Sequence, residues 1–242
     1  MALPKIDAPV YELTLPLSGK QIRYRPFLVK EQRNLLMAME SDDAETIEQN
    51  IRQVLMNCTL TDKFDLDNIP LIDIEYYFLQ LRARSVGEIV ENKYKCNNIV
   101  QDEQECGNIM DVNFNLLEIK VDKPEGIIDT IKLNDKLSVK LRYPQFSVVK
   151  RATNFDNMAD LALELIAESI EYIHDGQQFY YAKEADPVEL IEFVESLNTE
   201  QFSKIEEFFN NLPTLNKNIE MTCGKCGFEH KIKVEGLENF FG

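Results

Sequence analysis

The 242-residue chain is 44% hydrophobic and 28% charged, enough apolar material for a sizeable core, and it carries a formal net charge of −16. That field repels phosphate backbones, so nucleic acid is not expected as a direct ligand, whereas a basic protein partner would be steered towards the acidic surface. No apolar run approaches the ~18 residues of a membrane span, and the opening MALPKIDAPV lacks the basic-then-apolar order of a signal peptide; a reducing cytosol without membrane attachment is expected.

Tyr11–Leu15 alternates, Pro16-Leu17-Ser18-Gly19 turns and Gln21–Tyr24 returns, which predicts a hairpin. Val29, Leu35, Leu36 and Met39 fall near helical spacing, and Ser41-Asp42-Asp43 is expected to cap a second helix through Ile51, Val54 and Leu55. A third helix is predicted over Leu71–Arg84. After Gly87 the period becomes that of strands: Ile89–Lys95 leads into Cys96, and Ile109–Leu117 leads away from Cys106, which places both cysteines at a hairpin tip.

The order then recurs. Thr130–Leu133, the turn Asn134-Asp135 and Leu137–Tyr143 predict another hairpin, and Arg142-Tyr143-Pro144-Gln145-Phe146 echoes Arg23-Tyr24-Arg25-Pro26-Phe27. A helix is predicted from Asp156 to Ile173, with Met158, Leu161, Leu165 and Ile166 on one face. Pro187 starts another through Leu197, and Thr199 caps one through Phe209. Strands are expected around Cys223 and Cys226. The pattern predicts an α+β fold of two tandem, related halves, residues 1–122 and 123–242, each with a hairpin, helices and a cysteine knuckle.

Cys223-Gly224-Lys225-Cys226-Gly227 has the spacing of a zinc knuckle, in which two thiolates grip one metal across a tight turn. Structural zinc takes four protein ligands, and Cys96 and Cys106 supply the second pair, with Gly107 following Cys106 as Gly227 follows Cys226. One structural Zn²⁺ on Cys96, Cys106, Cys223 and Cys226 is therefore expected, in a zinc-ribbon-like arrangement joining the halves. The insert Asn97–Glu105 reads as a solvated loop, and Lys93, Lys95, Lys225, Lys231 and Lys233 are placed to offset the charge of four thiolates. Other readings are unconnected buried thiols, a Cys96–Cys106 disulfide, a Cys223–Cys226 redox pair, and a partial set in which His230 replaces a cysteine. Cys58 ends an apolar helix face and reads as a buried small hydrophobe.

Four thiolates leave no open coordination position, and two histidines give acid–base chemistry little to use. His174-Asp175-Gly176 reads as a turn after a helix. The carboxylate stripes Asp160, Glu164, Glu168 and Glu192, Glu195 read as solvated helix faces, Tyr76-Tyr77-Phe78 and Phe208-Phe209 as core, and Phe240-Phe241 as a docked end. There is no Gly-rich phosphate loop, nucleophile elbow or calcium loop. No catalytic residue, no cofactor-binding loop and no small-molecule substrate is expected.

Leu3-Pro4-Lys5-Ile6-Asp7-Ala8-Pro9-Val10-Tyr11-Glu12-Leu13, Tyr24-Arg25-Pro26-Phe27-Leu28-Val29-Lys30-Glu31 and Leu79-Gln80-Leu81-Arg82-Ala83-Arg84-Ser85-Val86-Gly87-Glu88 resemble stretches of the T4-type bacteriophage baseplate family, whose members are named as hub subunits or hub assembly proteins. The resemblance is clearest in the first half and continues through the paired cysteines. It implies a non-enzymatic assembly or scaffolding protein of the baseplate hub of a contractile tail, with other baseplate proteins as partners. The site of action it implies is the infected cell's cytoplasm or the tail of the virion. A nucleic-acid-binding zinc-ribbon protein of phage transcription or replication is the alternative, supported by the lysines around the knuckles.

Overall fold

The computed structural model describes residues 7–40, 43–100, 104–152 and 157–235, and shows a mixed α+β chain with seven α-helices and several small antiparallel sheets among those residues. None of these helices is long and apolar enough to cross a membrane.

Strands β1 (Tyr11–Thr14) and β2 (Gln21–Tyr24) pair as a hairpin with Tyr11 opposite Tyr24. Its turn is held from a distance: the fully buried Asp73 carboxylate accepts the backbone amides of Leu17 and Ser18, each at 2.8 Å. Helix α1 spans Val29–Met39 and α2 spans Ala44–Cys58, the latter capped by Asp43, which accepts from the Thr46 amide at 3.0 Å. Ser41 and Asp42 lie outside the described residues. At the start of α1, Glu31 accepts the Leu28 amide at 2.8 Å and pairs with Arg25 at 3.0 Å, so this nearly fully buried carboxylate is satisfied from both sides.

Helix α3 (Leu71–Ser85) packs on two sides, which explains why its apolar residues do not gather into one stripe. Ile74, Tyr77 and Leu81 enter a first core with Leu15, Ile22 and Leu55, while Leu79 and Ala83 enter another beneath the next hairpin. That hairpin is β3 (Ile89–Lys95) with β4 (Ile109–Asn115), and its inner face carries Val90, Val112 and Phe114. A 3-10 turn at Leu116–Glu118 leads to β5 (Lys120–Asp122).

The second half opens on β6 (Thr130–Lys132) and β7 (Ser138–Leu141), followed by α4 (Ser147–Ala152) and α5 (Met158–Ser169). The helix expected to reach Ile173 ends at Ser169, and Ile170–His174 forms strand β8, paired with β7. The run Ile-Glu-Tyr-Ile favours a pleated strand, and the Ser169 carbonyl leaves the helix to accept the Arg142 amide at 2.8 Å. His174 therefore closes a strand rather than a helix; its turn to β9 (Phe179–Tyr181) is organised by Asp175, which accepts the Gln177 and Gln178 amides at 2.9 Å. Strands β6 to β9 form one four-stranded sheet in chain order. Helices α6 (Pro187–Glu195) and α7 (Thr199–Asn210) follow; the cap of α7 is Asn198, not Thr199, through a reciprocal pair with Gln201. Ile131, Leu141, Ile170, Val194 and Phe208 close a core of their own.

The chain then forms β10 (Thr214–Thr222) and β11 (Glu229–Glu235), a hairpin whose third strand is β5, with Leu215 opposite Val121. Strand β5 thus completes the sheet of the last hairpin, about 90 residues further along the chain. In return, the Phe146 side chain enters the first core and its amide donates to the Ile69 carbonyl at 2.9 Å. Phe240 and Phe241 lie outside the described residues.

Candidate metal centre

The β3–β4 and β10–β11 hairpins bring their cysteines to one place. Cys96 follows β3 directly, and the ribbon continues past it: the Cys106 amide donates to the Asn98 carbonyl at 2.8 Å and the Val100 amide to Gln104 at 2.9 Å. Cys96 and Cys106 therefore face each other across a hairpin that extends beyond them, not at its tip. Cys223 and Cys226 do sit at a tip, closed by the Cys223 amide on the Phe228 carbonyl at 2.9 Å and the Gly227 amide on Cys223 at 2.8 Å. The residue after the second cysteine of each pair has the same backbone: Gly107 at φ +65° and Gly227 at φ +72°, a left-handed conformation that a side chain would oppose.

All four Sγ atoms lie within 4.8 Å of one another. Across the hairpins, Cys96 Sγ is 3.7 Å from Cys226 Sγ and Cys106 Sγ is 3.8 Å from Cys223 Sγ. A tetrahedron with metal–sulfur bonds of 2.3 Å has edges of about 3.8 Å, so these separations fit four thiolates around one ion and exceed the ~2.05 Å of a disulfide. All four cysteines are free; Cys96, Cys106 and Cys223 are buried and Cys226 is partly exposed.

Nitrogen donors surround the sulfurs. The backbone amide of Asn98 points at Cys96, that of Asn108 at Cys106, and those of Cys226 and Lys225 at Cys223. Side chains add a crossed set: Asn98 Nδ2 reaches Cys226 Sγ at 3.6 Å, Asn108 Nδ2 reaches Cys223 Sγ at 3.5 Å, and His230 Nε2 lies 3.1 Å from Cys96 Sγ. His230 is buried between Tyr94 and Phe228, with ring centroids at 5.3 and 4.8 Å, and stands beside the sulfur cluster as a hydrogen-bond partner.

These donors divide the thiols. Backbone amides, led by that of Cys226, pull the Cys223 thiol down to about 6, whereas burial pushes Cys96 up to about 12. Bringing all four sulfurs to the thiolate form in one buried cluster needs a cation; a divalent ion would displace the protons and leave a net charge of about −2 for the surrounding N–H groups and lysines to offset. Among the described residues this is the one group of three or more Cys, His, Asp or Glu side chains arranged to hold a metal. Cys223 and Cys226 lie between strands, away from the helix N-terminus that a redox pair uses.

Cys58 stands apart, fully buried, its thiol pushed up to about 11 by burial. Of the lysines around the knuckles, Lys225 donates to the Cys106 carbonyl at 3.0 Å, while Lys95 and Lys231 pair with Glu105 and Glu220 at 3.2 and 3.7 Å. The carboxylates on α5 are occupied locally: Asp160 accepts from Asn157 and Glu168 from Ser147. Sequence reasoning missed Asn98 and Asn108, although each stands two residues after a cysteine, a repeated Cys-x-Asn that was legible.

A family model described as T4 bacteriophage base plate protein matches residues 8–242. No curated protein and no solved structure gives a significant match.

Proposed function

Since the chain belongs to the T4 bacteriophage base plate protein family, we propose that it is a non-enzymatic assembly or scaffolding protein of the baseplate hub of a contractile tail, working through protein–protein contacts. The observation that carries this reading is the family match over residues 8–242, essentially the whole chain. Membership supports other baseplate proteins as its partners, and the tail, or its assembly in the infected cell, as its place of action. Pull-down of the tagged chain from infected cells, followed by mass spectrometry, tests it: tail proteins are the expected recovery, and polymerase or replication proteins in their place would overturn it.

Within that role, Cys96, Cys106, Cys223 and Cys226 hold one structural zinc ion. The edge lengths, the burial and the ring of N–H donors support a tetrahedral thiolate site, and the reading predicts one zinc per chain by elemental analysis. Iron in its place would give a coloured protein and overturn the zinc assignment.

We further propose that the chain is a tandem duplication, 1–122 and 123–242. Each half runs hairpin, helices, cysteine hairpin in that order, and the second adds the β8–β9 pair among its helices. The halves exchange elements, β5 into the far sheet and Phe146 into the near core, so they are expected to unfold together. The nucleic-acid alternative loses its support: three of the knuckle lysines are engaged within the chain, and the net charge is −16.

A further inference from the structure

A second junction between the halves lies away from the cysteines. Helix α3 meets the segment after β7 and the connection from α7 to β10, and between them is a groove of about 380 Å³, within the roughly 300–1,000 Å³ range of ligand pockets. Leu71 and Ile72 line it from α3, Tyr143 and Pro144 from the second-half motif, and Phe209, Leu212, Pro213 and Leu215 from the far side. Glu75 is the one charged residue of that lining.

We propose that this groove receives an arginine side chain, flanked by apolar residues, from a partner protein of the baseplate. The partner in this proposal rests on the assembly role; the chemistry of the groove does not. Glu75 is half-buried, and no hydrogen bond or ion pair to its carboxylate occurs among the described residues. The two most deeply buried carboxylates are provided for: Asp73 holds two amides, and Glu31 holds an amide, Arg25 and Lys30. Burial alone pushes Glu75 up to about 7, with no opposing donor or cation.

An arginine completes such a site. Its methylene stem lies on apolar side chains, its planar guanidinium stacks on rings such as Tyr143 and Phe209, and it meets a carboxylate with two parallel hydrogen bonds. Charge argues for a basic partner over a second copy, because two chains of net charge −16 would bring like fields together.

The test is a methyl-detected NMR titration of the full chain with n-butylguanidinium, with neutral n-butylurea as the control. Saturable shifts at Leu71, Ile72, Leu212 and Leu215 are expected for the cation only, with affinity falling roughly tenfold in Glu75→Gln, a variant first shown to melt as a folded protein. Equal responses to the two probes, or unchanged affinity in Glu75→Gln, overturn the groove chemistry. The partner is tested by complementing phage that lack the gene. A folded Glu75→Lys chain is expected to leave tails unassembled where the wild type restores them, and wild-type yields from Glu75→Lys overturn the partner. If tails form without the chain at all, the assembly role fails, and the butylguanidinium titration still decides what the groove binds.

Discussion

Two junctions between segments before residue 122 and segments after it are finished to different degrees. At the cysteine hairpins every sulfur has an amide or imidazole aimed at it or a second sulfur within 3.8 Å, and the cluster is closed by Met110, Tyr94 and Met221. At the α3 groove mostly apolar side chains line the wall beside the half-buried Glu75, whose carboxylate has no such provision among the described residues. A buried polar group costs free energy unless it is partnered, so the completed junction is suited to holding the chain together and the incomplete one to recognition. Glu31 and Glu75 show the same contrast within one residue type. Burial raises both, but Arg25 and the Leu28 amide more than reverse the effect for Glu31.

The largest expected effect breaks the finished junction. Cys223→Ser should abolish metal binding and remove metal-linked stabilisation on the order of ~10 kcal/mol, read by elemental analysis and thermal melting. Cys58→Ser should keep its metal, because Cys58 lies in the first core and not in the cluster. A folded Cys223→Ser chain with full metal content would sink the four-thiolate assignment.

Next comes the partnered carboxylate. Arg25→Met leaves Glu31, about 1% exposed, with only the solvent-exposed Lys30 as a cation at 3.4 Å, and should cost about 3 kcal/mol in denaturant melts. A neutral result would mean that the Leu28 amide and Lys30 together satisfy Glu31.

Smaller effects sharpen the contrast. Removing one side-chain donor to sulfur, by Asn108→Ala or His230→Ala, should weaken metal affinity roughly 10–100-fold in chelator competition while the site still fills at saturating metal. Unchanged affinity in both would make these side chains bystanders.

The smallest effect is a sign test on pH. Glu31 is lowered in the folded state, so its contribution is present above pH 4.5 and is lost as pH falls below it. Glu75 is raised from 4.5 to about 7, so the folded chain holds its proton more tightly and stability falls as pH rises from about 4.5 through 7. Glu75→Gln should therefore stabilise the free protein at pH 8 by about 1–2 kcal/mol, the figure discounted for solvent at the groove mouth, and flatten this part of the profile. Destabilisation at pH 8 would mean that Glu75 has a partner.

Much of this architecture was legible because it is local. Helical spacing located α1, α2 and α3, the switch to strand period located β3, and cysteine–glycine spacing in the knuckles named four candidate ligands among five cysteines. Periodicity misjudged α5 and β8 because the apolar spacing of Met158–Ile166 runs into Ile170 without a break; the stop at Ser169 is set by pairing with β7.

By itself the sequence determined the strongly periodic elements, the Cys223–Cys226 knuckle and the acid balance, all properties of neighbouring residues and composition. Only the tertiary structure decided that Cys106 meets Cys223 across 117 positions, that β5 joins the sheet of β10 and β11, that His230 stands beside the sulfurs and that the Glu75 carboxylate has no partner among the described residues. Those outcomes depend on which surfaces are buried against which, and burial is a property of the assembled chain: the same carboxylate that is inexpensive in water becomes a liability or a recognition group only once an apolar wall has closed around it.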